Sequence, residues 1–404
     1  MRTLVLESFY HTHIALIDSV KSPVRRQLMD EINWDDRLIA IKGSRGVGKT
    51  TFLLEYAKEH FGHSRGCLYI NFNNFYFTEH TLVEFAGSFV AQGGKTLLID
   101  QTFKYDNWSQ ELRRCYELYP SLHIVFSCSP VMRLTEDNHD LQDVVKMYNL
   151  RGFSFREYLN LQFGTEFKVM QLDDIIRNHI SIATQICNDS HLHDPEGGLR
   201  LLTAFSDYLH HGYFPFFLEN RNYYENLLKT INMMLEVDIL IIKQIDVSYL
   251  AKIRKLLHIL MQSAPCSPNV SKFSIAIDTS RATIMNYIKY LKDARLLNLL
   301  YREGDKFPKK PVKVYMQNTN LMYATAEGDP DAQDVAETYF YNTLHSCHKV
   351  NATDRNELFV VDGRWNFNVY DHYEGNVGYH LTAAGGITIG EGNKIPLWLL
   401  GFLY

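Results

Sequence analysis

Residues 43–50 read Gly-Ser-Arg-Gly-Val-Gly-Lys-Thr and fit the pattern G-x-x-x-x-G-K-[ST]. Glycines at this spacing let backbone N–H groups curl around an anion, and a helix that follows adds the positive end of its dipole. We expect Lys49 to reach the β- and γ-phosphates of a nucleotide and the Thr50 hydroxyl to ligate Mg²⁺. The predicted phosphate-binding residues are Gly43, Ser44, Arg45, Gly46, Val47, Gly48, Lys49, Thr50 and Thr51.

A second acidic element follows at Leu97-Leu-Ile-Asp100, where an aspartate ends an apolar run. We expect Asp100 to hold the magnesium through water, so the predicted metal residues are Thr50 and Asp100. The next residue is Gln101, where many ATPases carry a glutamate that polarises the attacking water. Because an amide accepts no proton at neutral pH, general-base help worth about 10²–10⁴-fold would be lost. The alternative is that Gln101 positions the water, as glutamine does in some GTPases.

Two serines, Ser127 and Ser129, lie at the end of the next apolar run. Ser127 could sense a γ-phosphate and is taken with Lys49 and Gln101 as a candidate catalytic residue. The competing interpretation is that both serines close a turn before Pro130.

The elements that must position these residues alternate between strand and helix. Apolar runs at 38–41, 67–72, 96–100 and 123–127 are separated by helical patterns at 49–60, 81–90 and 108–119. Such alternation implies βαβ units and a parallel sheet. We therefore predict an α/β fold, a P-loop NTPase sheet with helices on both faces, followed by a helical and winged-helix region and a small mixed α/β C-terminal domain.

The composition restricts the class of protein. The chain has 404 residues, 46% of them hydrophobic, and a formal net charge of −5, which indicates globular domains without global attraction to nucleic acid. The six cysteines form no CxxC pair, which argues against a disulfide framework and a cysteine zinc site. The longest apolar tract, 395–404, is too short to span a bilayer and predicts a buried terminal strand. We expect a cytoplasmic protein without a membrane partner.

Four stretches are expected along the chain: a P-loop core at 1–150, a helical lid-like region at 151–250, a winged-helix-like segment at 251–313 and an α/β domain at 314–404. The third stretch holds 13 Lys and Arg against four Asp and Glu, a charge of +9. Its third predicted helix, residues 279–292, would enter a major groove with Ser280, Arg281, Thr283 and Asn286 near its leading face and Lys289 as a further cation. The alternative is that the winged helix is an interdomain or protein-interaction module.

Taken together, the motifs resemble prokaryotic AAA-like P-loop ATPases with an appended C-terminal domain of unknown function. The resemblance rests on the phosphate loop and on the order of the following segments: 37–41, 93–95, 97–100, 104–108, 153–158, 212–215, 337–340 and 395–398. It implies ATP as the nucleotide, a winged-helix segment and a C-terminal domain similar to PD-(D/E)XK nucleases. It implies no particular partner, and either a protein partner or self-association is compatible with it.

The chain departs from that family at its chemically important positions. The segment 140–145 lacks arginines that could reach a γ-phosphate, and Lys146 or Arg151 would have to substitute. In the C-terminal domain the expected acids are Leu358 and Asn368, and the expected lysine is His372. Nuclease activity is therefore not expected, although Glu337, Asp354, Glu357 and Asp362 remain nearby.

Three hypotheses follow. The preferred one is an ATP-binding protein in which Mg-ATP is a conformational switch and hydrolysis is slow or lost. The second is an active ATPase in which Gln101 positions water and a neighbouring subunit supplies an arginine. The third is a winged-helix regulator that binds nucleic acid, with the nucleotide secondary.

Overall fold

The structure is a computed structural model that describes residues 2–21, 25–132, 139–219, 222–242, 244–325, 328–353, 358–372 and 379–404. The chain folds into two compact units, Met1–Arg151 and Gly152–Tyr404. Each unit is described separately below.

The first unit contains a parallel sheet of five strands in the order β2-β3-β4-β1-β5. Its central strands are almost wholly buried and apolar, as expected where helices flank a parallel sheet. The strands are β1 (Leu38–Lys42), β2 (Cys67–Asn71), β3 (Thr96–Asp100), β4 (His123–Cys128) and β5 (Lys146–Asn149). The predicted α/β class with a parallel sheet is confirmed.

Strand β5 was not predicted from the sequence. It has only four residues, Lys-Met-Tyr-Asn, of which three are exposed and the third, Tyr148, is half-buried. A strand at the sheet edge that faces solvent needs no apolar run, so periodicity gives no signal for it.

Five helices flank this sheet: α1 (Arg2–Ser19), α2 (Leu28–Glu31), α3 (Lys49–His60), α4 (Leu82–Ala91) and α5 (Trp108–Leu118). Helix α4 begins after Thr81, whose hydroxyl accepts a hydrogen bond from the Glu84 amide. Helix α1 packs beside the edge strand β2, where His13 Nδ1 accepts the Tyr69 N–H at 3.1 Å. This contact pairs an edge amide that the sheet leaves without a strand partner.

The second unit begins with four helices, α6 (Phe155–Phe163), α7 (Leu172–Cys187), α8 (Leu201–His211) and α9 (Tyr223–Met233), and α9 continues into a π-helix, Met234–Ile242. The start of α6 is fixed by a capping box between Ser154 and Glu157. This arrangement confirms the helical region that the sequence predicted after the sheet.

Helices α10 (Leu250–Ser263), α11 (Val270–Ile277) and α12 (Arg281–Asp293) are followed by an antiparallel pair, β6 (Leu297–Leu300) and β7 (Lys313–Met316), and then by α13 (Thr319–Thr325). Between α10 and α11, Cys266 exchanges backbone hydrogen bonds of 3.1 and 2.8 Å with Val314. A third extended segment therefore lies against β7.

The C-terminal part of this unit combines helix α14 (Ala332–His345) with a five-stranded mixed sheet of order β12-β11-β10-β9-β8. The strands are β8 (Val350–Ala352), β9 (Phe359–Val361), β10 (Trp365–Tyr370), β11 (Leu381–Ala384) and β12 (Lys394–Pro396). The expected terminal strand over 395–404 is wrong beyond Pro396, where a 3₁₀-helix, Leu397–Phe402, begins. Proline has no N–H to continue a strand ladder, so the strand ends there.

One hydrophobic core joins α6, α7 and α8 to α14 and the mixed sheet. Phe155, Phe340, Phe367 and Trp398 all lie in it and are at most 1% exposed. The helices predicted as a separate stretch at 151–250 thus share their core with the C-terminal sheet.

Candidate functional site

The loop from β1 to α3 has the backbone that an anion site requires. Gly46 and Gly48 have φ values of +80° and +93°, in the left-handed region that favours glycine. Gly48 is the N-cap of α3, so the N–H groups of the first helical turn face the end of the loop. A Cβ on Gly43 would lie 2.6 Å from the Leu150 carbonyl oxygen, which excludes any larger residue there.

Lys49 lies over this loop. Its ammonium group donates to the carbonyl oxygens of Gly43 and Ser44, at 2.8 Å each. The first residues of α3 after it are Thr50 and Thr51, both exposed. A cation, two hydroxyls and the N–H groups of a helix N-terminus therefore converge at the carboxyl end of β1, where a phosphate chain can be held.

Asp100 stands beside this loop, buried to 2% exposure, and accepts four hydrogen bonds. Oδ2 accepts from Thr50 Oγ1 at 2.6 Å and from Tyr69 Oη at 2.9 Å. Oδ1 accepts from the Gln101 N–H at 2.9 Å and from Ser127 Oγ. A carboxylate has about four acceptor sites, so this one is saturated by protein donors.

Gln101 follows directly, with φ +60° and ψ +41°. Its N–H also lies 3.3 Å from Ser127 Oγ. This left-handed backbone is unusual for glutamine and is held by the Asp100 and Ser127 contacts. Among the residues that the structure describes, nothing hydrogen-bonds to the Gln101 side-chain amide, which remains partly exposed.

Ser127 lies inside the Asp100 network. Its carbonyl oxygen accepts from Thr102 Oγ1 at 2.7 Å, and the side chain is 3% exposed. Ser129 is also buried, and its hydroxyl accepts from the Val131 N–H at 3.4 Å. Ser127 therefore lies with Asp100 and Gln101, whereas Ser129 caps the turn that follows.

Sequence analysis missed two residues of this site, Tyr69 and Arg26. Burial raises the pKa of the Tyr69 hydroxyl, and the neighbouring Asp100 carboxylate adds to the rise, so the hydroxyl is a donor at neutral pH. Arg26 is 7% exposed and donates to the carbonyl oxygens of Val47, at 3.2 Å, and Arg151, at 2.7 Å. No motif marks either residue, because each reaches the loop from a distant part of the sequence.

Glu55, on α3, is a half-buried carboxyl group near Arg26. Burial raises its pKa to about 7, and the positive charge of Arg26 opposes the rise. Within the described part of the chain, no hydrogen-bond donor reaches Glu55 Oε1. The group therefore titrates near neutral pH.

The two residues considered as replacements for a γ-phosphate arginine lie near opposite ends of β5, Lys146 as its first residue and Arg151 after its last. Lys146 pairs with Ile39 at the amino end of the strands, whereas Lys42 and Asn149 pair at the carboxyl end, next to the loop. The replacement role stays a prediction, with Lys146 at the end of β5 away from the loop. Arg151 follows the carboxyl end of β5, and its carbonyl oxygen accepts from Arg26.

The chemistry of Thr50 and Asp100 fits Mg²⁺, a cation that prefers oxygen ligands and keeps several waters. In the described ranges, no group of three or more His, Cys, Asp or Glu could enclose a metal ion. Two protein oxygens beside a phosphate loop are the usual protein share of a magnesium site that phosphates complete.

Glu337 and Asp362, two of the acids that remain near the nuclease-like positions of the C-terminal domain, each form an ion pair with a different partner. Glu337 pairs with Lys313 at 2.8 Å and accepts from Tyr315, while Asp362 pairs with His348 at 2.7 Å. Asp354 and Glu357 lie outside the described residues.

A second surface with possible binding chemistry lies on α12. Ser280 is the N-cap of α12, and its hydroxyl accepts from the Thr283 N–H at 3.1 Å. A groove of about 620 Å³ lies between α11, α12 and the β6–β7 loop. Its lining includes Asn269, Ser271, Arg281, Met285, Pro308 and Lys310.

The cations of this surface differ in availability. Lys289, expected to contact phosphate, pairs with Asp293 at 2.9 Å and is only 24% exposed, so it is committed within its own helix. Arg281 and Lys310 are exposed, and no carboxylate among the described residues pairs with either.

Comparison with known proteins gives the clearest assignment for the first unit. Residues 35–159 match the family model described as "AAA domain", and residues 202–331 match a "Domain of unknown function". No curated protein matches the chain. Neither family match supports the nuclease-like interpretation of the C-terminal domain.

Solved structures give weaker likenesses. AMPPCP-bound DnaA from Aquifex aeolicus is 14% identical, with 64% of this chain and 82% of that one covered and a TM-score of 0.25. The Aeropyrum pernix ORC1 protein in complex with DNA is 10% identical, with coverages of 78% and 90% and a TM-score of 0.29. Because these TM-scores are low, the assignment of the first unit rests on the sheet order, the loop geometry and the match to the AAA family model. These identify a nucleotide-binding P-loop domain of the AAA type.

None of the helices in the described part of the chain combines the length and apolar character needed to cross a membrane.

Proposed function

We propose that this protein binds ATP with Mg²⁺ and uses the bound nucleotide as a conformational switch, with slow or lost hydrolysis. Gly43–Thr51 would hold the phosphates, Lys49 would contact the β- and γ-phosphates, and Thr50 with Asp100 would hold the metal. Magnesium supplies charge neutralisation to the phosphates when bound.

The observation that carries the proposal is the state of the two residues that could serve as a general base. Asp100 has no acceptor site left for a proton from water, because four protein donors occupy them. Gln101 carries an amide, which does not take up a proton at neutral pH. Losing a general base costs about 10²–10⁴-fold in rate, enough to turn a hydrolytic site into a holding site.

The switch needs a segment that responds to the phosphate loop, and the structure offers residues 150–151. Arg26 joins the Val47 carbonyl of the loop to the Arg151 carbonyl, and the Leu150 N–H bonds to the Lys42 carbonyl at 2.8 Å. Arg151 is the last residue of the first unit and is directly followed by Gly152 of the second. A nucleotide that favours one loop arrangement would therefore bias the chain segment joining the units.

Hydrogen exchange of wild type and Arg26→Gln, each with and without a non-hydrolysable ATP analogue, tests this coupling. We expect the analogue to slow exchange at 42–50 in both proteins, but at 149–152 only in wild type. Lys58→Gln, on the exposed side of α3, is the control and should behave as wild type. Equal protection of 149–152 in wild type and Arg26→Gln would contradict the coupling, and no protection at 42–50 would contradict nucleotide binding.

A second candidate is an active ATPase in which Gln101 orients the attacking water. It is favoured by the Gln101 side chain, which is partly exposed and has no hydrogen-bond partner in the described residues, so its amide is available to a water. The rate of the first turnover separates this function from the switch.

A third candidate is nucleic-acid binding through residues 279–292. Three helices, two antiparallel strands and the Cys266 segment follow the element order of a winged helix, with α12 in the position that enters a groove. The groove beside α12 carries two unpaired cations, Arg281 and Lys310, on a segment of net charge +9. These features suit phosphate contacts.

Titration of duplex DNA against salt concentration tests this candidate with a matched pair of variants. Lys310 lines the groove, whereas its neighbour Lys309 pairs with Asp305 at 2.7 Å. We expect Lys310→Ala to reduce the slope of log K against log salt by about one, and Lys309→Ala to reduce it less. DNA binding that is unaffected by Lys310→Ala and by Arg281→Ala would exclude this surface as the DNA-binding site.

A further inference from the structure

Tyr69 lies against Asp100, the carboxylate beside the phosphate loop. Its hydroxyl donates to Asp100 Oδ2, the same oxygen that accepts from Thr50. The other oxygen is taken by the Gln101 amide and the Ser127 hydroxyl. A hydrated Mg²⁺ that engages Asp100 through its waters must therefore find an acceptor site that a protein donor now fills.

The four donors differ in how they would respond to a metal. Thr50 can keep donating its proton to Asp100 while its oxygen turns to the metal. The Gln101 N–H is fixed by direct attachment to Asp100. Ser127 has a small side chain that can rotate and already lies within 3.3 Å of the Gln101 N–H.

Tyr69 is the donor least able to move aside. Its ring is 5% exposed and stands on β2, whose register with β3 places Tyr69 opposite Leu98 and Asn71 opposite Asp100. The backbone N–H of Tyr69 is bonded to His13, which anchors the residue from the other side. Moving the hydroxyl away from Asp100 requires displacing the strand or leaving a buried donor unpaired.

We propose that Tyr69 is a positioning residue that limits how much Mg²⁺ adds to nucleotide affinity, by occupying the Asp100 acceptor site that the hydrated metal would use. This rests on the proposed nucleotide site. The Tyr69 hydroxyl competes with the metal for one lone pair, so nucleotide binding in this protein depends only weakly on Mg²⁺. Tyr69→Phe frees that lone pair and leaves the ring packing in place.

Calorimetric titration with a non-hydrolysable ATP analogue, once with Mg²⁺ and once with EDTA, measures the effect without any turnover. The quantity compared is the ratio of the two dissociation constants. We expect this ratio to be about three- to tenfold larger in Tyr69→Phe than in wild type, the equivalent of one hydrogen bond. Tyr10→Phe is the matched control, since it removes a tyrosine hydroxyl that donates to the Arg65 carbonyl at 2.7 Å in the same unit.

Each outcome has one meaning. A larger ratio in Tyr69→Phe, with Tyr10→Phe unchanged, supports the proposal. An equal or smaller ratio in Tyr69→Phe overturns it, even where the analogue binds well. Absence of analogue binding by wild type under both conditions refutes the nucleotide site itself, and the proposal with it. A thermal melt of each variant shows whether an altered ratio comes from the folded protein.

Discussion

Removing the Asp100 carboxylate tests the hydrogen-bond network at the centre of the site. In Asp100→Ala, the Tyr69 and Ser127 hydroxyls lose their acceptor while remaining only 5% and 3% exposed. Each unsatisfied buried donor costs about 1–3 kcal/mol, so the free energy of unfolding should fall by about 2–6 kcal/mol. Thr50 is exposed and can turn to water, so it adds little.

Asp100→Asn separates the loss of hydrogen bonds from the loss of charge. Its amide oxygen can accept from the Gln101 N–H and Ser127, and its NH₂ can donate to the Tyr69 and Thr50 hydroxyls, which accept as well as donate. We expect a loss of about 1 kcal/mol, clearly smaller than for alanine.

Hydrogen exchange of the β3 amides at 97–99 in the full chain reports unfolding of the first unit specifically, because these residues are fully buried. Urea series at neutral pH would give the two free energies side by side. If alanine and asparagine destabilise the unit equally, or if both are neutral, Asp100 does not hold the four donors as described.

Two further predictions concern the pH dependence of stability. Burial holds the pKa of Glu55 at about 7 against an ordinary value of 4.5, so its contribution is fully present below pH 4.5 and is lost as the pH rises through 7. The free energy of unfolding of Glu55→Gln, measured with urea, should therefore exceed that of wild type by up to about 3 kcal/mol at pH 8 and by less than about 1 kcal/mol at pH 5. A difference that stays constant between these pH values would contradict the raised pKa. Burial lowers the pKa of His13 to about 4 from 6.5, so the stability that it contributes is present above pH 6.5 and is lost as the pH falls through 4. His13→Gln, which can still accept from the Tyr69 N–H, should unfold less readily than wild type as the pH falls from 6.5 to 4, and an unchanged acid profile would refute this.

Much of the first unit could be predicted from the sequence because its chemistry and its periodicity coincide. The buried strands β1, β3 and β4 are apolar runs bounded by turns, and α3 starts inside the phosphate-loop motif. Tertiary contacts could not be predicted in this way. Tyr69 donates to Asp100 and Arg26 donates to the Val47 carbonyl of the phosphate loop, each from a separate segment, and no spacing rule connects them.

The second unit shows the same division. The helix Ala332–His345 and the positions of α10 to α12 follow from apolar periodicity and capping residues. The charge of Lys289 is visible in the sequence, whereas its pairing with Asp293 depends on side-chain geometry. The shared core of α6 to α8 and the C-terminal sheet joins residues that are more than 200 positions apart, such as Phe155 and Trp398.

The fate of bound ATP in a single turnover tests the central claim most directly. Excess protein is mixed with Mg²⁺ and [γ-³²P]ATP, and the release of labelled phosphate is followed for wild type, Gln101→Glu and Lys49→Ala. The proposed switch predicts that wild type captures ATP and keeps it uncleaved, that Gln101→Glu hydrolyses it about 10²–10⁴ times faster, and that Lys49→Ala captures none. Prompt cleavage by wild type would contradict the switch and establish Gln101 as competent for hydrolysis.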